Sequence, residues 1–226
     1  MDEPPDRPDA AGGVDQRRGV ATITVRDAGE ADLPRIIAIY NASIPAGRST
    51  ADTRPIRVEE RLDWFRRFDP QRRPIWVAER EGLVLGCVYL TSFYGGRPAY
   101  DRTAEISTYI DPAHQRQGLG TLLKGRMIEA CPRLGVENLI SMYFDHNQAT
   151  QRLNDHFGFE VVGHLPEIAD VFGSPRGLKI GLLRLRAQAE EDPTATSTST
   201  ATAAAATTAS AAADGLPSPC HSGTHP

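Results

Sequence analysis

The segment Thr108-Tyr109-Ile110-Asp111-Pro112-Ala113-His114-Gln115-Arg116-Gln117-Gly118-Leu119-Gly120-Thr121 constrains the fold more than any other part of the chain. Thr108 to Ile110 reads as the end of a strand, Asp111-Pro112 stops it, and Leu119 to Cys131 places apolar residues at helical spacing. A strand therefore passes through a polar loop into a helix that begins near Gly118. The first N–H groups of a helix have no intrahelical partner and lie at the positive end of its macrodipole. They attract an anion, and Gly118 and Gly120 let phosphate oxygens approach the backbone, so the segment predicts a diphosphate cradle. Two other phosphate motifs fit less well. A Walker loop needs Gly-Lys-Ser/Thr, and a dinucleotide fingerprint needs glycine where Arg116 stands. An isolated pair of glycines is equally well explained as turn residues, so the surrounding sequence has to decide.

The periodic apolar part of the 226 residues, 21–187, suffices for one core. Residues 1–20, rich in Asp, Pro, Gly and Arg, are expected to form a disordered leader. Residues 188–226, dominated by an Ala/Thr/Ser run, are expected to form a disordered tail. Between them, strands are predicted at 22–26, 75–79, 83–91, 104–110, 139–144, 159–165 and 178–186. Helices are predicted at 31–43, 58–68, 119–131 and 149–157. Arg80-Glu81-Gly82 supplies a hairpin turn, and the last two strands flank a Gly/Pro-rich loop. The pattern is a mixed α/β (α+β) layer fold. A doubly wound parallel sheet is the runner-up, disfavoured by the hairpins.

Composition excludes several classes. A formal charge of −4 without a long basic run argues against nucleic acid as partner. No apolar stretch is long enough for a signal peptide or a membrane span, which predicts no membrane partner and a cytoplasmic protein. Cys87, Cys131 and Cys220 offer neither metal spacing nor a disulfide framework, and Cys131 on the apolar side of its helix is expected to pack. The six histidines include no i, i+4 ligand pair, so no metal is expected.

Gln115-Arg116-Gln117-Gly118-Leu119-Gly120 resembles the (Gln/Arg)-x-x-Gly-x-(Gly/Ala) acetyl-coenzyme A loop of the GCN5-related N-acetyltransferase (GNAT) superfamily. The Tyr100 to Ile110 stretch, Ile39-Tyr40-Asn41, and Asn147-Gln148-Ala149-Thr150 with Phe157-Gly158-Phe159 resemble its phosphinothricin acetyltransferase branch, from about Val25 to Leu185. The resemblance implies a central mixed, largely antiparallel twisted sheet of about seven strands with about four helices on both faces. It also implies acetyl-coenzyme A as co-substrate, a small amino-acid-like amine as acceptor, and frequent dimers. The cofactor-binding residues it implies are Thr108, Tyr109, Ile110, Gln115, Arg116, Gln117, Gly118, Leu119, Gly120, Thr121 and Asn147. Asn147 before a helix is equally an N-cap, and both roles can coexist.

Alternate strand residues share a face, so Glu105, Ser107 and Tyr109 point one way and Ile106, Thr108 and Ile110 the other. The Thr-x-Glu-x-Ser-x-Tyr frame carries the family's general base onto Glu105. An ammonium has no free lone pair, so a base must take its proton before or during attack. Where related enzymes often present Tyr or His to the departing sulfur, this chain has Asn154, whose amide can hydrogen-bond sulfur but not protonate it. Because a thiol near pKa 8.5 lies about 1.5 above neutral pH, leaving unprotonated costs roughly 2 kcal/mol. Phe93, Tyr94, Arg97 and Tyr100 precede the catalytic strand as candidate acceptor-binding residues, Arg97 being able to grip a carboxylate. Two segments depart from the branch: Ile44 to Thr50 and Lys179, where aspartate is common. A small-molecule amine acetyltransferase is the first expectation. The others are a protein or peptide N-acetyltransferase and a non-catalytic acyl-coenzyme A-binding regulator.

Overall fold

A computed structural model of the protein describes residues 22–185. The expected leader and tail, and Cys220, lie outside them. Along the chain come β1 (Thr24–Asp27), α1 (Leu33–Ser43), α2 (Leu62–Phe65), β2 (Ile75–Arg80), β3 (Leu83–Ser92) and β4 (Thr103–Ile110). They are followed by α3 (Leu119–Ala130), β5 (Asn138–Phe144), α4 (Gln148–His156), β6 (Glu160–Val171) and β7 (Ser174–Arg184). The seven strands form one open sheet in the order β1-β2-β3-β4-β5-β7-β6. Only β4 and β5 run parallel; every other neighbouring pair is antiparallel. The mixed, largely antiparallel sheet is thus as expected, and the parallel runner-up falls.

Two hairpins impose the antiparallel pairing. Glu81 (φ 53°) and Gly82 (φ 79°) join β2 to β3, and Phe172 (φ 54°) and Gly173 (φ 77°) join β6 to β7. Two consecutive positive φ angles are the turn whose twist matches that of the flanking strands. The second hairpin corrects the expected Gly/Pro-rich loop: the strands run through it almost to the turn. Pro166 and Glu167 (φ 52°) are accommodated by a register shift between Leu165 and Ala169 on edge strand β6, where a missing N–H leaves no gap in the ladder. The predicted helix at 58–68 shrinks to a 3-10 turn at Glu59–Arg61 followed by four α-helical residues. It is interrupted at Arg61 (φ −117°, ψ 0°), whose guanidinium reaches over the Tyr40 and Trp64 rings.

Each face of the sheet carries its own core. Leu119, Leu123 and Met127 of α3 pack on Leu90, Ile106 and Leu139 on one side. Leu33, Ile36 and Ile37 of α1 pack with Phe65 on Ile75, Val77, Val84 and Cys87 on the other. Each fully buried leucine among them contributes about 2 kcal/mol of transfer free energy. Both cysteines are buried thiols, their pKa pushed up to about 12 by burial, as a packing role requires. No helix among the described residues is long and apolar enough to cross a membrane.

The functional consequence of the topology lies between β4 and β5. Their ladder is confined to Thr103, Ala104 and Glu105 opposite Asn138, Leu139 and Ile140. Beyond it β4 continues against β3 alone and β5 against β7 alone. The two strands diverge, and Ile106 to Ile110 present a backbone edge that no strand among the described residues covers. Gly86 holds the far end of β4 in place: a Cβ there would lie 2.6 Å from Ile110 Cδ1 and 2.8 Å from the Tyr109 carbonyl oxygen.

Candidate active site

The loop leaving β4 is pinned at its start. Asp111 accepts hydrogen bonds from the Ala113 N–H (2.9 Å) and from the Arg35 guanidinium of α1. Burial opposes the charge, but these partners hold the carboxyl below its ordinary value. The loop then exposes Gln115, Arg116, Gln117 and Gly118, and buries Leu119 as the first residue of α3. Arg116 (φ 61°) and Gly118 (φ 80°) are both left-handed, and no side chain caps α3. The opening amides of the helix are thus left facing solvent, and a turn with left-handed residues forms a concavity for anions. Gln115 folds back instead, its Nε2 3.4 Å from the Ile110 carbonyl. A Cβ on Gly120 would meet Leu153 at an ordinary 3.6 Å, so the fold itself does not demand glycine there. An approaching phosphate would. A second observation fits the co-substrate. Thr108, on the α3 side of β4, has a buried Oγ1 with no hydrogen-bond partner among the described residues.

Glu105 is the last β4 residue paired with β5, opposite Ile140, and so stands where the strands part. It is partly buried, and among the described residues its carboxylate has no hydrogen-bond or ion-pair partner. Burial, with no compensating cation, pushes its pKa above the ordinary 4.5. The side chain shares its face with Ser107 and Tyr109, as alternation predicts. That face meets an aromatic floor that sequence reasoning missed: Tyr109 lies 5.0 Å from Tyr40 and 6.2 Å from Tyr89, ring centroid to centroid. Tyr40 hydrogen-bonds Thr50 and Asp52, and burial, then Asp52, pushes its pKa up to about 12.

The departing segment 44–50 closes one side of this floor. Three successive carbonyls are held: Gly47 by His146 Nε2 (3.0 Å), Arg48 by Asn147 Nδ2 (2.9 Å), and Ser49 by the Tyr109 hydroxyl (3.4 Å). Asn147 also accepts from the Thr150 N–H at 3.1 Å, so it is the N-cap of α4 with both ends of its amide engaged. Lys179 donates to Gln151 Oε1 at 2.8 Å. Phe93, Tyr94 and Tyr100 gather in the β3–β4 connection with centroids 5.6–6.2 Å apart, and Arg97 covers the Tyr94 ring at 5.1 Å. The cluster follows Thr91, the cross-strand partner of Glu105.

Asn154 requires a correction. Its side chain is 1% exposed, its Oδ1 accepts from Lys124 Nζ, and its Nδ2 donates to Ser141 Oγ at 3.1 Å. An amide engaged at both ends inside the protein is not presented to a departing sulfur. Tyr143, with its hydroxyl beside the Asn154 amide, and the buried Lys124 belong to the same cluster. Lys124 was missed because it stands at helical spacing among Leu119, Leu123 and Met127, where its stem reads as one more packing residue. Among the described residues no group of three or more His, Cys, Asp or Glu is placed to hold a metal.

Known proteins share this sequence and fold. Residues 34–159 match the model of the acetyltransferase (GNAT) family. YwnH of Bacillus subtilis (strain 168), provisionally a phosphinothricin acetyltransferase, is 40% identical over 159 residues, covering 70% of this chain and 96% of the relative. The L-methionine sulfoximine/L-methionine sulfone acetyltransferase of Salmonella typhimurium is 30% identical over 167 residues, covering 73% and 94%. The crystal structure of a phosphinothricin acetyltransferase from Sinorhizobium meliloti in complex with acetyl-coenzyme A superposes with a TM-score of 0.68 at 28% identity, covering 73% of this chain and 89% of that one. The family match and this kinship decide the matter: the chain belongs to the acetyltransferase (GNAT) family and is an acetyl-coenzyme A-dependent N-acetyltransferase.

Proposed function

We propose that the protein acetylates the primary amine of a small amino-acid-like substrate of the phosphinothricin or methionine sulfoximine kind, with Glu105 as general base. One observation carries the reading: a partly buried carboxylate, without a partner among the described residues, stands where β4 and β5 diverge. Bound acetyl-coenzyme A supplies an acetyl group activated as a thioester. Glu105 takes the amine proton, directly or through a water, as the C–N bond forms and the C–S bond breaks. The β4 backbone near Tyr109 and Ile110 offers an N–H for the carbonyl oxygen and aligns the pantetheine arm as an added strand would. Residues 115–121 hold the pyrophosphate on the open end of α3. Asn147 shapes the channel by tying α4 to the Arg48 carbonyl. Phe93, Tyr94, Arg97 and Tyr100 form the approach for the acceptor, with Arg97 available to its carboxylate.

The decisive experiment is coenzyme A release with a panel of amino acids, sulfoximines, sulfones, polyamines and peptides. Turnover is expected on the amino-acid-like amines, and activity restricted to peptides would overturn the proposal. The reading includes cytoplasmic action as a homodimer. Exposed Val162, Ile168 and Phe172 on the β6–β7 hairpin support the second point. Native mass spectrometry is expected to give twice the chain mass, and a monomer at micromolar concentration would remove the dimer.

A further inference from the structure

Lys124 is 2% exposed, lies on the helix whose open end forms the proposed anion cradle, and has no carboxylate beside it among the described residues. Its ammonium is 4.3 Å from the Phe159 ring centroid and donates to Asn154 Oδ1. With Oδ1 thus fixed, Asn154 can turn only its N–H group toward β5, where Nδ2 meets Ser141 Oγ at 3.1 Å. Ser141 is the first β5 residue beyond the ladder with β4. The chain Lys124–Asn154–Ser141 therefore links α3, α4 and β5, three elements around the opening in which the thioester must lie. A buried amine without an opposite charge beside it is unfavourable, and a leucine or methionine would pack the same space without that cost.

We infer that Lys124 is a positioning residue for acetyl transfer, holding the Asn154 amide so that α4 fixes β5 at the point where it leaves β4. The inference rests on the transferase reading above but concerns residues to which that reading gives no chemical step. Lysine donates to Oδ1 whether charged or neutral, so the link persists through neutral pH. Glutamine is the conservative replacement, since its amide N–H can still reach Asn154, whereas methionine fills the space without a donor. Displacing a reacting group by a fraction of an ångström lowers turnover far more than it weakens distant anchoring.

The test compares Lys124→Met and Lys124→Gln with the wild type. Lys124→Met is expected to lower kcat about tenfold while KM for acetyl-coenzyme A stays within about twofold, because the pyrophosphate cradle is unchanged. Lys124→Gln is expected to retain kcat within about threefold. A readout that needs no substrate accompanies these: the Asn154 side-chain amide resonances, identified by their absence from Asn154→Leu. They are expected at shifts displaced from those of a free amide and slow to exchange with solvent in the wild type and in Lys124→Gln, but nearer free-amide shifts and faster to exchange with solvent in Lys124→Met. Equal kcat in the wild type and Lys124→Met, equal loss in both variants, or unaltered amide resonances in Lys124→Met would each defeat the inference and leave the transferase reading standing. A wild type that acetylates no amine defeats the transferase reading, while the resonances still decide whether Lys124 holds Asn154.

Discussion

Glu105→Gln lowers kcat/KM by about a thousandfold on the preferred amine, equivalent to about 4 kcal/mol of transition-state stabilisation, with acetyl-coenzyme A binding unchanged. The side chain keeps its shape and loses its basicity, so the loss reports proton transfer rather than packing. The pH dependence supplies an independent check. As the proposed base, Glu105 would act only when ionised, and burial raises its pKa above the ordinary 4.5. Activity in the wild type therefore falls as pH drops through that raised value, and this acid limb disappears in Glu105→Gln. A variant that keeps wild-type kcat/KM, measured by coenzyme A release at pH 7 and 8, would reassign the base.

Lys124→Met stabilises the protein at neutral pH. In the unfolded chain the ammonium keeps its proton up to an ordinary 10.5, whereas burial without a compensating charge brings the folded value down to about 7. Between those two values unfolding takes up a proton, so wild-type stability must rise as pH rises. Below about 7 the fold carries the full unfavourable term of a charged buried amine. From pH 7 to pH 9 the rise is on the order of 2 kcal/mol, which moves Tm by about 5 °C in a domain of this size. Tyr143 faces the same cluster from β5; burial pushes its pKa up, so it keeps its proton throughout that range. In Lys124→Met this rise is absent and Tm at pH 7 exceeds that of the wild type, even though Asn154 Oδ1 loses its donor. Scanning calorimetry across pH measures both effects. A wild type whose Tm does not climb relative to the variant would mean that Lys124 is better solvated than its 2% exposure implies.

The turn into α3 was legible from residues 108–121 because everything that specifies it is local. An Asp-Pro stop, two glycines and the apolar spacing of one helix act over a few residues, and the structure supplies the open α3 terminus they predict. The facing of Glu105 was legible for the same reason, since a strand has a fixed period of two. The β6–β7 connection was misread because Pro and Gly were counted as loop formers. An edge strand tolerates both through register shifts, and that status depends on which strands lie beside it. The helix at 58–68 was overextended because its apolar spacing continues where Arg61 leaves helical geometry to cover Tyr40, a residue on another helix.

By itself, then, the sequence determined the succession of strands and helices, the glycine-bearing turn that opens α3 and the face of β4 on which Glu105 lies. Each follows from backbone periodicity or from turn chemistry between near neighbours. Only the tertiary structure decided that β4 and β5 part after Glu105, that Tyr40, Tyr89 and Tyr109 form a floor, and that Asn154 faces Lys124 and Ser141 rather than the opening. Those partners are 13 to 69 positions apart in the chain. Whether a buried amide meets an amine or a sulfur is fixed by which elements pack together, and no local rule carries that information.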